Sequence, residues 1–147
     1  MWCSVRQTLT LSMVLIAGCS GGAVKTVPAK GAIKTTKGEA CANALIVFHP
    51  LDKNRLGDPK PVATADDTGA FVVRTFTMED GAVPGDYGVT VVWPGQPQEA
   101  QFSITGEGKS AGSDRLLGKY GNPSQTLIKI TIPKSGDENI SLQVEAL

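Results

Sequence analysis

One histidine, three cysteines and a scatter of carboxylates are the groups in this chain that could do chemistry. A Ser-His-Asp triad would have to use His49. That residue sits in Phe48-His49-Pro50 at the end of an apolar run, where a turn role is ordinary, and no Gly-x-Ser-x-Gly nucleophile sequence accompanies it. A lone His cannot build a zinc site without Cys or carboxylate partners, and Cys3, Cys19 and Cys41 do not have zinc-site spacing. Asp66-Asp67-Thr68-Gly69 opens with two carboxylates, but the residues that follow lack the alternating oxygen ligands and closing Glu of a calcium loop. Asp before Gly suits a tight turn instead. Gly108-Lys109-Ser110 has the end of a phosphate loop without its beginning, because Ser103 stands where the first Gly is needed and no helix follows. The expectation is a chain with no catalytic residues, no metal and no cofactor.

Cys19 stands apart. Arg6 supplies one positive charge, and Thr8 to Ala17 then runs without any charge, rich in Leu, Met, Val and Ile. Such a run is too short for a bilayer core, which needs about 20 residues, and suits the apolar region of a signal peptide. Ile16-Ala17-Gly18-Cys19 closes it and resembles the bacterial lipobox. The resemblance implies that the Cys19 thiol takes a diacylglyceryl group, that cleavage removes residues 1–18, and that the new N-terminus is acylated. Small residues at Ala17 and Gly18 let an extended backbone enter a peptidase cleft, and the thiol is the nucleophile. Two or three acyl chains anchor stably where one is marginal. Ser20-Gly21-Gly22 then reads as a flexible tether within residues 19–26. Ser20 in place of Asp implies, by the same resemblance, the outer membrane, facing the periplasm or the cell surface. The alternatives are an ordinary secretory signal beside an incidental Cys, or a buried N-terminal helix.

The remaining chain, 27–147, must position whatever else the protein offers. The full chain has 17 glycines, 9 prolines and 5% aromatics, which suits a β-rich fold with many turns. Strands are expected at Val27 to Thr35, Ala44 to Phe48, Val62 to Ala65, Phe71 to Phe76, Tyr87 to Trp93, Leu127 to Ile132 and Ile140 to Val144. The run at 44–48 is continuously apolar, like a strand covered on both faces. The last three alternate, which places Tyr87, Val89, Val91 and Trp93 together, and likewise Ile128, Ile130 and Ile132. Residues 94–125 read as one long loop, with room for a short strand at Gln101 to Ile104. About seven strands and no helix argue for an all-β fold, an antiparallel β-sandwich. With Cys3 lost and Cys19 blocked, Cys41 has no partner and reads as a small buried hydrophobe.

Four segments in order carry a family resemblance. "GEACANALIVFHP" at 38–50, "TADDTGAFVVRTF" at 64–76 and "GAVPGDYGVTVVWP" at 81–94 resemble the carboxypeptidase regulatory-like, or transthyretin-like, domains. Residues 113–144, with Asp-Arg-Leu and Tyr120, are similar to small bacterial lipoproteins that carry one such domain. Ala40, Cys41 and Asn43 depart from the pattern's Pro, aliphatic and Gly. Asn is the best non-Gly residue for a left-handed backbone, so Asn43 keeps that conformation accessible. The resemblance implies a transthyretin-like or Ig-like sandwich and a non-enzymatic role.

Zero net charge, with acids and bases interspersed, leaves no footprint for nucleic acid. The candidate binding surface is the long loop and its flank: Trp93, Asp114, Arg115, Tyr120 and Asn122. Trp93 beside Pro94 has two readings, a ring exposed for stacking on a sugar or partner, or a core edge. Arg115 and Tyr120 could equally pin the loop to the sandwich, and Tyr87 is expected to cap the core as a Tyr does at sandwich corners. The function expected is a binding or structural module of the cell envelope, anchored to the membrane by lipid on Cys19, with an envelope protein or polysaccharide as partner. The alternative is a carbohydrate-binding or surface-adhesion module.

Overall fold

A computed structural model of the chain describes residues 25–95 and 113–146. They form seven strands: β1 (Ala29–Thr35), β2 (Leu45–Pro50), β3 (Val62–Thr64), β4 (Ala70–Val72), β5 (Gly85–Val92), β6 (Ile128–Ile132) and β7 (Asp137–Val144). Two single 3-10 turns, Lys53–Arg55 and Pro123–Gln125, lie in the connections. Among the described residues there is no α-helix, and so none long and apolar enough to cross a membrane. The lipobox residues Ile16, Ala17, Gly18 and Cys19, and the strand expected at Gln101 to Ile104, lie outside the described residues.

The strands make two sheets, β4-β1-β7 and β3-β2-β5-β6, packed face to face. This is the all-β sandwich that the turn-punctuated alternation predicts. All pairings are antiparallel except β1 with β7, which run parallel. That pair joins the first strand to the last, and no local pattern encodes it.

Alternation works as expected along most strands. Ile33 from β1, Ile46 and Phe48 from β2, Tyr87, Val89 and Val91 from β5, and Ile140, Leu142 and Val144 from β7 all point into one core. The Phe48 ring meets Tyr87 edge-on at 6.2 Å between centroids and Phe71 of the opposite sheet at 6.4 Å. β2 is not covered on both faces as its apolar run suggested: Leu45 is exposed and Val47 half-buried. The strand covered on both faces is β5, where Gly88 and Thr90 are buried as well as the alternating apolar set. A Cβ on Gly88 would lie 2.3 Å from Thr126 Oγ1, so glycine is what lets the last connection pack onto that face.

The strand expected over 71–76 stops at Val72 for a specific reason. Val73 N–H still bonds to Ala29 in the first sheet, but Arg74 exchanges both backbone hydrogen bonds with Val62 in the second. The chain crosses between sheets there and closes one side of the sandwich. Asp80 then gathers the turn beyond it, accepting from the backbone N–H groups of Thr75, Phe76 and Thr77.

The pairings also fix which connections share an end. Val27 bridges Ala82, Leu51 N–H bonds to Asp86, and Asp137 N–H bonds to Pro28. The start of β1, the β2–β3 and β4–β5 connections and the β6–β7 turn therefore lie together at one end. The β1–β2, β3–β4 and β5–β6 connections and the C-terminus occupy the other. The expected long loop 94–125 is not wholly irregular: Pro94 bridges Asp114, and residues 115–120 form consecutive turns.

Gly31 is the close contact in the parallel pair. A Cβ there would lie 2.0 Å from the backbone oxygen of Ile140. Gly31→Ala should push β1 away from β7 and destabilise the fold by about 2 kcal/mol or more, read as a lowered urea midpoint with an unchanged slope.

Candidate functional site

Trp93, Asp114, Arg115 and Tyr120 come together at the end of the sandwich opposite the start of β1. Asp114 organises them. Its carboxylate accepts from the backbone N–H groups of Trp93 at 2.9 Å, Leu116 at 3.0 Å and Gly118 at 2.8 Å. Arg115 N–H returns a bond to the Trp93 carbonyl at 2.8 Å, so the segment from Ser113 onward is laced along the end of β5.

Of the two readings of Trp93, the structure places the core-edge one. The residue is 2% exposed, and its indole N–H donates to the Ala42 carbonyl at 3.1 Å. The ring faces the Arg115 guanidinium, whose carbon lies 3.5 Å from the ring centroid. Arg115 also donates to Glu39 at 2.9 Å. A cation over an indole face stabilises the contact and occupies the surface on which a sugar would stack. Trp93 is therefore not an exposed platform, because alternation along β5 turns it inward with Val89 and Val91.

Tyr120 is likewise 9% exposed. Its hydroxyl accepts from Glu145 N–H, and its carbonyl accepts from Val91 N–H, tying the C-terminal residues to β5. Lys119 and Glu145 pair across it at 2.6 Å. Asn122 is not brought into this group. Its side chain accepts from Ser124 N–H and caps the turn at Pro123–Gln125. These five residues hold the loop; the exposed polar surface they leave is the rim made by Arg115, Lys119 and Glu39.

The other groups singled out from the sequence are also engaged in the fold. Asp66 accepts from Thr68 and Ala70, and these bonds, the Thr68 hydroxyl first, hold its carboxyl below the usual range, as a turn-forming Asp requires. Asn43 takes φ 61°, the left-handed conformation expected of it. Cys41 is a free, buried thiol pushed up to about 11, by burial first and by the charge of Glu39 second. The Nε2 atom of His49 lies 2.9 Å from Thr90 Oγ1 on the second sheet. Burial first, and the Lys60 charge second, pull its pKa below 6.5. Among the described residues no three His, Cys, Asp or Glu side chains are grouped to hold a metal ion.

The other end of the molecule has features that the sequence reading missed. Arg55 bonds to the Pro84 carbonyl at 3.0 Å, the Tyr87 hydroxyl at 2.9 Å and the Asp58 carboxylate at 3.2 Å. The Tyr87 hydroxyl donates to the Val83 carbonyl four residues upstream, the corner contact expected of it. On the other sheet a groove of about 700 Å³ runs over the outer face of β4-β1-β7, lined by Lys30, Ala32, Val72, Arg74, Met78 and Ser141 among others. The apolar residues of the β4–β5 turn could have been noted from the run Phe76-Thr77-Met78 before Asp80-Gly81, a turn signal.

Comparison of the chain with family models, curated proteins and solved structures finds no match.

Two outcomes follow from this geometry. Asp114→Ala strands three backbone donors and should cost about 1–3 kcal/mol, seen in thermal unfolding, whereas Asn122→Ala removes one and should cost about 1 kcal/mol or less. The His49 ring protons should titrate with a midpoint below 6.5 by NMR. Because the fold favours the neutral imidazole, the stability His49 contributes is present above 6.5 and is lost as pH falls through that lower midpoint.

Proposed function

We propose that this chain is a lipid-anchored, non-enzymatic binding or structural module of the bacterial cell envelope, related to the transthyretin-like lipoproteins. The observation that carries the reading is the sequence Ile16-Ala17-Gly18-Cys19 closing the uncharged, apolar run that begins at Thr8. The thiol there is the acceptor for diacylglycerol, and residues 19–26 tether a β-sandwich to the membrane. The sandwich supports a display role because its chemically capable side chains are spent on the fold. His49 meets Thr90, Asp66 closes a turn, Asp114 staples a loop and Cys41 is buried.

The carbohydrate-binding alternative rested on exposed rings at Trp93 and Tyr120, and both are buried. A protein partner is the better-supported class, since β6 and β7 each end a sheet among the described residues and a sheet edge can accept a strand.

Cells expressing the full chain and fed an alkyne-bearing fatty acid should yield labelled protein in the membrane fraction. Cys19→Ser should abolish both the label and the membrane association. Label retained in Cys19→Ser, or wild-type protein without label, would defeat the reading.

A further inference from the structure

The loops at the end of the sandwich where β1 begins expose apolar side chains. Phe76 is 52% and Met78 80% exposed, and Leu51 and Leu56 are exposed at the same end. Exposed apolar side chains grouped on neighbouring loops mark a candidate contact surface. Nor is the turn that carries them slack. Asp80 takes three N–H groups of Thr75, Phe76 and Thr77 into its carboxylate, and the Thr75 hydroxyl donates to the Gly81 carbonyl. Gly81 is packed so closely on Val27 that a Cβ would lie 1.8 Å from the Val27 oxygen. Val27 and Ala82 exchange backbone hydrogen bonds in both directions. The turn is thus fastened to the residues through which the tether reaches the domain.

Chain geometry then decides what this end meets. Cys19 is six residues before Lys25, the first described residue. At about 3.3–3.6 Å per residue, six residues reach at most about 22 Å. An eight-residue strand such as β5 is longer than that, about 26 Å at about 3.3 Å per residue, before its loops are added. An acylated Cys19 in the bilayer therefore keeps the Val27 end of the sandwich close to the membrane, with the Trp93 end outward.

We propose that Phe76 and Met78 insert into the bilayer interface beside the lipid anchor and set the orientation of the domain. This rests on the lipid-anchored reading above. The contact is apolar in character. Charge around the turn is mixed, with Lys25, Arg74 and Lys134 exposed alongside Glu79 and Glu138, so anionic lipid is not required. Side chains of this kind sit about 5–10 Å into the headgroup and acyl boundary.

The test uses the full-length chain, processed in a bacterial host and reconstituted in phosphatidylcholine vesicles. Met78→Cys and, at the opposite end, Leu117→Cys each carry one fluorophore; Leu117 is 72% exposed and serves as the comparison. Cys41 is buried and stays unlabelled. Vesicles with a nitroxide on the acyl chain near the headgroup should quench the fluorophore at 78 several-fold more than the one at 117. The mass of the N-terminal peptide is measured on the same samples. Acylated Cys19 with equal quenching at both positions, or stronger quenching at 117, overturns the insertion while leaving the anchor intact. An unmodified Cys19 overturns the anchor and the insertion together.

Discussion

Tyr87 is where the two sheets and the loops of one end are tied together. Its ring lies edge-on to Phe48, which in turn packs against Phe71 from the other sheet. This trio spans the sandwich, and edge-to-face contacts of such rings add about 0.5–1.5 kcal/mol beyond the area they bury. The hydroxyl would be a liability at zero exposure, but it donates to Val83 and accepts from Arg55. Arg55 carries the tie onward to Pro84 and Asp58. One side chain thus contributes apolar burial to the core and a polar anchor for the β2–β3 and β4–β5 connections. With Cys41 a free thiol, packing of this kind holds the described domain together, and β1 is held by its backbone pairings with β4 and β7.

At the Trp93 end, one carboxylate collects three backbone donors and an arginine covers the indole, while Leu117 on the same turns stays exposed. At the Val27 end, Asp80 collects three donors in the same manner, and the side chains it holds out are Phe76 and Met78. The same device, one Asp carboxylate gathering three backbone donors, secures the loops at both ends.

Much of the fold was legible because alternation is a local signal. β5, β6 and β7 follow from Tyr87-x-Val89-x-Val91, Ile128-x-Ile130-x-Ile132 and Ile140-x-Leu142-x-Val144. The left-handed Asn43 and the turn at Asp66 to Gly69 were legible for the same reason. What failed to show is non-local. The parallel pairing of β1 and β7 joins residues about a hundred positions apart, as in Ile33 with Leu142. β4 ends early because Arg74 leaves to pair with Val62, a choice no pattern within 71–76 reveals. Trp93 carried two signals, inward by alternation and outward by its place beside Pro94. The first prevailed because Ala42 supplies an acceptor for the indole N–H. Nor does the sequence order reveal that Phe76 and Met78 share an end with the start of β1; the Val27 to Ala82 bridge does.

The account depends most on the chemistry of one sulfur. The most direct measurement is the intact mass of the N-terminal peptide of the native protein, isolated from the membranes of its own cells. The account predicts a peptide that begins at Cys19, with a thioether-linked diacylglyceryl group and an acylated amine. A peptide that retains residues 1–18, or one that begins at Cys19 or beyond without lipid, would contradict it.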